Sequence, residues 1–188
     1  MSTFDPHAYG PRGAALISLD RLCELGPGRP NRDARDDLQN LTAADLFAGV
    51  SIGDQASAQC CVSGLWLLHD YLDDSHNISQ DISTSSGSYW HGIMHRREPD
   101  FPNAKYWFRR TGDHPIFPAL RNAAVELAER ADANGPAAWL RERGDWDPFA
   151  FVDLCETAGK DPAWEMLARE IAREEWRLLF DYCYRQAA

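Results

Sequence analysis

Apolar residues recur along this chain with the period of a helix, and no run alternates as a half-buried strand would. In SAQCCVSGLWLLHDYLDD, residues 57–74, Ala58, Cys61, Val62, Leu65, Leu68 and Leu72 fall at three- and four-residue intervals, and His69 follows Leu65 by four on the same side. One helix is expected there. The next stretch, SHNISQDISTSSGS, is polar and rich in Ser, Asn, Asp and Gly, which predicts a substantial turn. A helix through YWHGIMHRR, capped by Ser86 or Ser88, should end near Pro99, because the residue before a proline is restricted. From Pro99 to Pro118 the chain is aromatic but broken by Pro102, Gly112 and Pro115, and reads as an ordered loop with short helical pieces.

The C-terminal half is more regular. FPALRNAAVELAERADA has the pattern of an amphipathic helix and GPAAWLRERG that of a short one. Asp147-Pro148 and Asp161-Pro162 each place a capping aspartate before a proline suited to the first helical position. In the last helix Trp164, Leu167, Ile171, Leu178 and Tyr182 define an apolar stripe, with Glu175 near its centre. Toward the N-terminus, Ser18 could cap a helix to Leu25, and Thr42 with Asp45 forms a capping box for a short turn. GPGRPNRD between them reads as loop. The expected fold is all-α: one helical domain spanning 1–188, a bundle or array with a long aromatic, positively biased loop. Residues 1–40 form a loop-rich extension packed on its body.

Composition supports a folded domain, since 188 residues with 44% hydrophobic positions and seven tryptophans can bury a sizeable core. Nineteen basic against 29 acidic residues give a net charge of -10, which argues against broad nucleic-acid binding. The first twenty residues lack the pattern of a secretory signal, and no segment approaches 18 uninterrupted apolar residues, so a soluble cytoplasmic protein is expected. Five cysteines without a CxxC pair read as packed thiols in a reducing compartment.

The chemistry concentrates in GSYWHGIMHRREPDFPNAKYWFRR, Gly87 to Arg110. On an ideal helix His91, His95 and Glu98 occupy neighbouring directions, while Trp90, Ile93, Met94 and Arg97 share the adjoining face; Pro99 is the obstacle to including Glu98. The residue types fit two kinds of chemistry. His91 and His95 have the spacing that places two imidazoles on one divalent metal, with Glu98, His69 or Asp73 as further ligands. HGIMH lacks the glutamate of an HExxH metalloprotease, so that mechanism is excluded. Without metal, His91 or His95 could transfer a proton near neutral pH, oriented by Glu98 or Asp100, while Arg96, Arg97, Arg109 and Arg110, with Tyr106, bind an anionic substrate. Between Tyr89 and Phe117, five Lys or Arg against three Asp or Glu give a local net of +2, which favours a small anion.

A structural explanation stands beside these: arginines and carboxylates linking a loop to helices, with the aromatic rings packed around their stems. His69-Asp70 is similar to the central dyad of HD-type metal phosphohydrolases, but the preceding helical histidine and the distant aspartate are missing. Asp70, Asp73 and Asp74 fit a solvated face better. No dinucleotide fingerprint, P-loop, nucleophile elbow or zinc-finger spacing is present, and Ser85 to Ser88 read as turn and cap residues. The segment from Cys61 to Phe117, above all YWHGIMHRREPDFPNAKYWFRRTGDHPIF, resembles a motif of a bacterial protein family with fungal relatives. The resemblance covers about a third of the chain and implies no particular activity, cofactor or catalytic residue. The sequence therefore points to a small hydrolase of a phosphorylated or other anionic molecule, centred on His91 and His95. A non-enzymatic ligand-binding or protein-interaction module with a structural His/Arg/Glu cluster is the other reading.

Overall fold

The computed structural model describes residues 4–17, 21–132 and 135–188, and among these every regular element is helical. In chain order they are α1 (Gly10–Leu16), α2 (Arg35–Gln39), α3 (Ala43–Leu46), α4 (Gln55–Leu68), α5 (Leu72–Ser79), α6 (Ser85–Arg97), α7 (Phe101–Thr111), α8 (Phe117–Arg130), α9 (Trp139–Glu142), α10 (Pro148–Ala158) and α11 (Pro162–Ala187). The all-α single-domain reading holds. No described helix is long and apolar enough to cross a membrane.

The caps follow from local chemistry. Asp147 and Asp161 accept hydrogen bonds from the first-turn amides of α10 and α11, each with its proline inside the start. Thr42 and Asp45 make a complete capping box on α3. Thr84, rather than Ser86 or Ser88, caps α6 through the Gly87 amide.

Four further expectations are corrected. The helix expected over 57–74 is two helices, because Asp70 takes a left-handed conformation (φ 64°) that an aspartate tolerates and ends α4. The stretch expected as a turn after it is the end of α5 and the start of α6, with residues 80–84 between them, and the α5 serines are buried: Ser75 meets Ser63 of α4 hydroxyl to hydroxyl at 2.9 Å, letting α4 and α5 approach closely. The loop expected from Pro99 to Pro118 is dominated by α7, which Asp100 caps and Pro102 helps to start. Of the helix expected from Ser18 to Leu25, Ser18–Asp20 lie outside the described residues. Arg21–Leu25 are not helical; Arg169 binds the carbonyls of Leu22 and Cys23 instead.

Helix α6 lies between α4, α5 and α7. Glycine makes this possible at two points: a Cβ on Gly64 would sit 2.8 Å from the Trp90 ring, and one on Gly92 would press Phe108 at 3.2 Å. One apolar core surrounds α4, α6 and the end of α11, and a second joins α8, α10 and the start of α11, with Phe117 and Leu178 packed against both.

Two ion pairs run through this interior. Arg96 makes a two-pronged contact with Glu175 on α11, and Tyr89 donates to the same carboxylate at 3.1 Å. The Arg96 guanidinium also lies 4.5 Å over the Phe151 ring of α10. Burial first, and then Glu175, hold the Tyr89 phenol well above its ordinary pKa, so it remains a donor. Arg97 turns the other way, to Asp70 at 2.5 Å and to the carbonyls of Leu67 and Gly26. Arg21 completes that cluster, binding Asp70 at 2.6 Å and the Leu68 carbonyl. Both arginines thus satisfy carbonyls at the C-terminus of α4.

Replacing Glu175 by Gln leaves Arg96 buried without its counter-charge, and the expected loss of unfolding free energy in urea is about 3–5 kcal/mol. The pair Arg96→Met with Glu175→Leu should recover most of it. A Glu175→Gln protein as stable as the parent would show that the pair contributes nothing.

Candidate functional site

The site is built where α5, α6 and α7 meet. His91 and His95, one turn apart on α6, face each other with their Nε2 atoms 3.0 Å apart. His76 enters from α5, its ring centroid 4.6 Å from that of His91 and 5.5 Å from that of His95. One ligand nitrogen from each ring falls within 4.8 Å of the others, the one such group of metal-ligating side chains among the described residues. Helix α7 supplies a wall: the Trp107 ring lies 4.1 Å from His91, and the Asn103 amide nitrogen is 3.1 and 3.3 Å from the two nitrogens of His95. Near-equal distances to both nitrogens place that amide over the ring face, off either lone-pair direction.

The outer nitrogens are also engaged. His91 Nδ1 is 3.0 Å from the buried Ser79 hydroxyl, and His95 Nδ1 is 3.0 Å from the Glu98 carboxylate, with Asp100 farther off at 4.0 Å. Pro99 follows the end of α6, yet Glu98, the residue that closes the helix, still reaches His95. Burial first, then the neighbouring imidazoles His95 and His76, push His91 down to about 3. His95 is lowered as well, because burial outweighs the pull of Glu98. His91 and His95 are therefore neutral at neutral pH, each with a lone pair that can act as a base or ligand.

Beside His95 opens a groove of about 770 Å³ lined by Asp70, Asp73, Asp74, Glu98 and Asp100, with Arg35 and Tyr71. Asp74 is held by Arg35 at 2.9 Å and Asp70 by Arg21 and Arg97, so the remaining field comes from Asp73, Glu98 and Asp100.

The other sequence candidates are placed as follows. Asp73 is exposed on the first turn of α5 and lines the groove without joining the imidazoles. His69 is separate from them: its Nε2 contacts the Leu16 carbonyl at 2.7 Å and its Nδ1 the Asn31 amide at 3.0 Å, which commits both nitrogens to the fold. Arg96 and Arg97 are committed to Glu175 and Asp70, which uses their charge inside the protein. Arg109 lies exposed over the Phe149 ring. Arg110 stacks over Trp107 at 5.1 Å and Tyr106 at 6.0 Å, leaving its guanidinium edge in solvent. Tyr106 is one of three exposed large hydrophobic side chains among the described residues.

His76 is the residue that sequence reasoning missed. It sits in the stretch taken for a turn, and the available signal was its distance of four from Leu72 on a helix whose buried positions are mostly serines. No protein-family model, curated protein or solved structure matches this chain, so the site stands on its own geometry.

His114 shows how this fold keeps a structural histidine. Its Nδ1 accepts from the Ile116 amide and its Nε2 meets Ser86, a neutral tautomer with both nitrogens used, and burial lowers it to about 4. An unfolded imidazole binds its proton near 6.5, so between about pH 6.5 and 4 the unfolded chain holds more protons than the native one. Stability then falls as pH falls through that window, by about 3 kcal/mol for this residue. Urea midpoints of parent and His114→Gln across the window should diverge, the variant having the flatter slope. Parallel slopes would remove His114 as a cause.

Proposed function

We propose that this chain is a small hydrolase that activates water at the cluster of His76, His91 and His95 and acts on a phosphorylated or otherwise anionic small molecule. The convergence of three imidazoles, with His91 and His95 neutral, beside the acidic groove that Glu98 lines supports this reading most strongly. Their unprotonated nitrogens either take a proton from the water or hold an ion that lowers its pKa. Glu98 orients His95, and Arg110, backed by Trp107, is the cation placed to receive the substrate's charge. The acidic groove repels an anion, so the substrate approaches on the side that half-buried His76 leaves open. A cytoplasmic setting belongs to the same reading, and five cysteines without a disulfide accord with it.

The non-enzymatic reading also has an observation in its favour. Without any ion, one hydrogen-bond path can run from Ser79 through His91 and His95 to Glu98 and satisfy the two α6 rings. In that case the cluster only orders α5 and α7 for binding a ligand or partner.

Turnover separates the two. With phosphate mono- and diesters and carboxylate esters as probes, His95→Ala should lower kcat/KM by about 10²–10⁴, and Arg110→Gln should raise KM about tenfold, a change of roughly 1.4 kcal/mol. No turnover of any ester, or unchanged kcat/KM in a folded His95→Ala protein, would favour the binding module.

A further inference from the structure

We propose that His76, His91 and His95 form a three-nitrogen site for a divalent transition ion, zinc foremost, with a fourth position open to water. This rests on the reading above only in where it places the chemistry, and it holds whether or not the chain is a hydrolase.

When the Ser79 hydroxyl gives its proton to the His76 carbonyl, 3.4 Å away, it accepts from His91 Nδ1–H at 3.0 Å. Glu98 can only accept, so His95 Nδ1 carries its proton toward that carboxylate. In that arrangement each of the two α6 rings has a bare Nε2 lone pair. Those two lone pairs then face each other at 3.0 Å, an arrangement that repels unless a cation lies between them. Tetrahedral zinc with Zn–N bonds of roughly 2.0–2.1 Å spaces its ligand nitrogens at about 3.3 Å, so the His91 and His95 rings need to open by a few tenths of an ångström while His76, whose nitrogen lies within 4.8 Å of theirs, closes in.

The third ring supports this. The His76 ring makes no hydrogen bond with the described residues, although it packs against both α6 imidazoles. His69 and His114 behave otherwise, since each engages both nitrogens with backbone or side-chain groups of the fold. The contrast is chemical: two buried histidines are finished by hydrogen bonds, while the cluster brings a nitrogen of each of three rings within 4.8 Å of the others.

The surroundings fit an ion. Glu98 on His95 is the carboxylate–histidine arrangement that fixes a metal ligand's ring and raises its basicity, and Ser79 holds His91 in the same way. Asp73, Glu98 and Asp100 line the adjacent groove and raise the local concentration of cations. Trp107 closes the α7 side of His91, while half-buried His76 leaves its own side open for a water or substrate oxygen. Three imidazoles and no thiolate suit zinc, or cobalt in its place.

The test uses the full-length chain without a polyhistidine tag, stripped with chelator and titrated with Co²⁺ while visible d–d absorption is recorded, then with Zn²⁺ in competition. The expected result is one ion per chain, intense bands of a four- or five-coordinate cobalt ion, and displacement by zinc. His76→Ala, His91→Ala and His95→Ala should each abolish those bands. Glu98→Gln, which keeps the fold and the three ligands, should weaken binding about 10–100-fold. Far-ultraviolet circular dichroism and urea midpoints establish that each variant is folded. Uptake without ester turnover would uphold the metal site while removing the hydrolase reading. Absence of uptake, uptake indifferent to His76→Ala in a folded protein, or turnover that survives chelation with no metal bound would overturn the site.

Discussion

Helix α6 is held by two neighbouring arginines that reach opposite ways into the protein. Arg96 meets Glu175 on α11, and Arg97 meets Asp70 at the break between α4 and α5. Removing these charges from water costs several kcal/mol per ion, and the cost is offset only when geometry is good and the remaining hydrogen-bonding capacity is used. Here it is used: Tyr89 shares the Glu175 carboxylate, Phe108 and Phe151 receive the Arg96 plane, and carbonyls at the end of α4 take the protons of Arg97 and Arg21. Such pairs are weak sources of net stability but strong selectors of register. A rotation of α6 would strand both guanidiniums.

The same constraint places the imidazoles. With Arg96 and Arg97 fixed, His91 and His95 are carried to the side of α6 that faces α5 and α7. Asp70 contributes twice, since its left-handed conformation ends α4 and its carboxylate anchors Arg97 and Arg21. The next helix then starts where His76 can meet the α6 rings. The structural charges and the candidate chemistry are therefore two sides of one helix, and the arginines that give the motif its positive bias work mostly inward.

Much of this fold was legible from local rules. The aspartate-proline starts of α10 and α11, the Thr42 box and the apolar stripe around Glu175 each depend on a few adjacent residues, and His91 with His95 needed only the helical period. What escaped the sequence depends on partners far along the chain. Helix α5 lacks an apolar stripe because serines, packed against the serine of another helix, do the work of large side chains. Helix α7 was obscured because Pro102 was taken as a break, although a proline in a first turn favours a start. The fates of Arg96 and Arg97 were hidden for the same reason: Glu175 is 79 residues away from Arg96, and a buried pair at that separation leaves no local pattern. With His76 unplaced, the cluster looked like a pair, and His69 and Asp73 were grouped with it in its absence.

The most direct test of the central claim, that the clamped α6 brings three imidazoles to one point, is anomalous scattering at the zinc edge from crystals of protein purified with zinc present and chelators absent. One peak is expected, at about 2.0–2.1 Å from a ring nitrogen of each of His76, His91 and His95, with Glu98 still on His95 Nδ1. A difference map with no peak there, and with Ser79, His91, His95 and Glu98 joined in an unbroken hydrogen-bonded line, would contradict it.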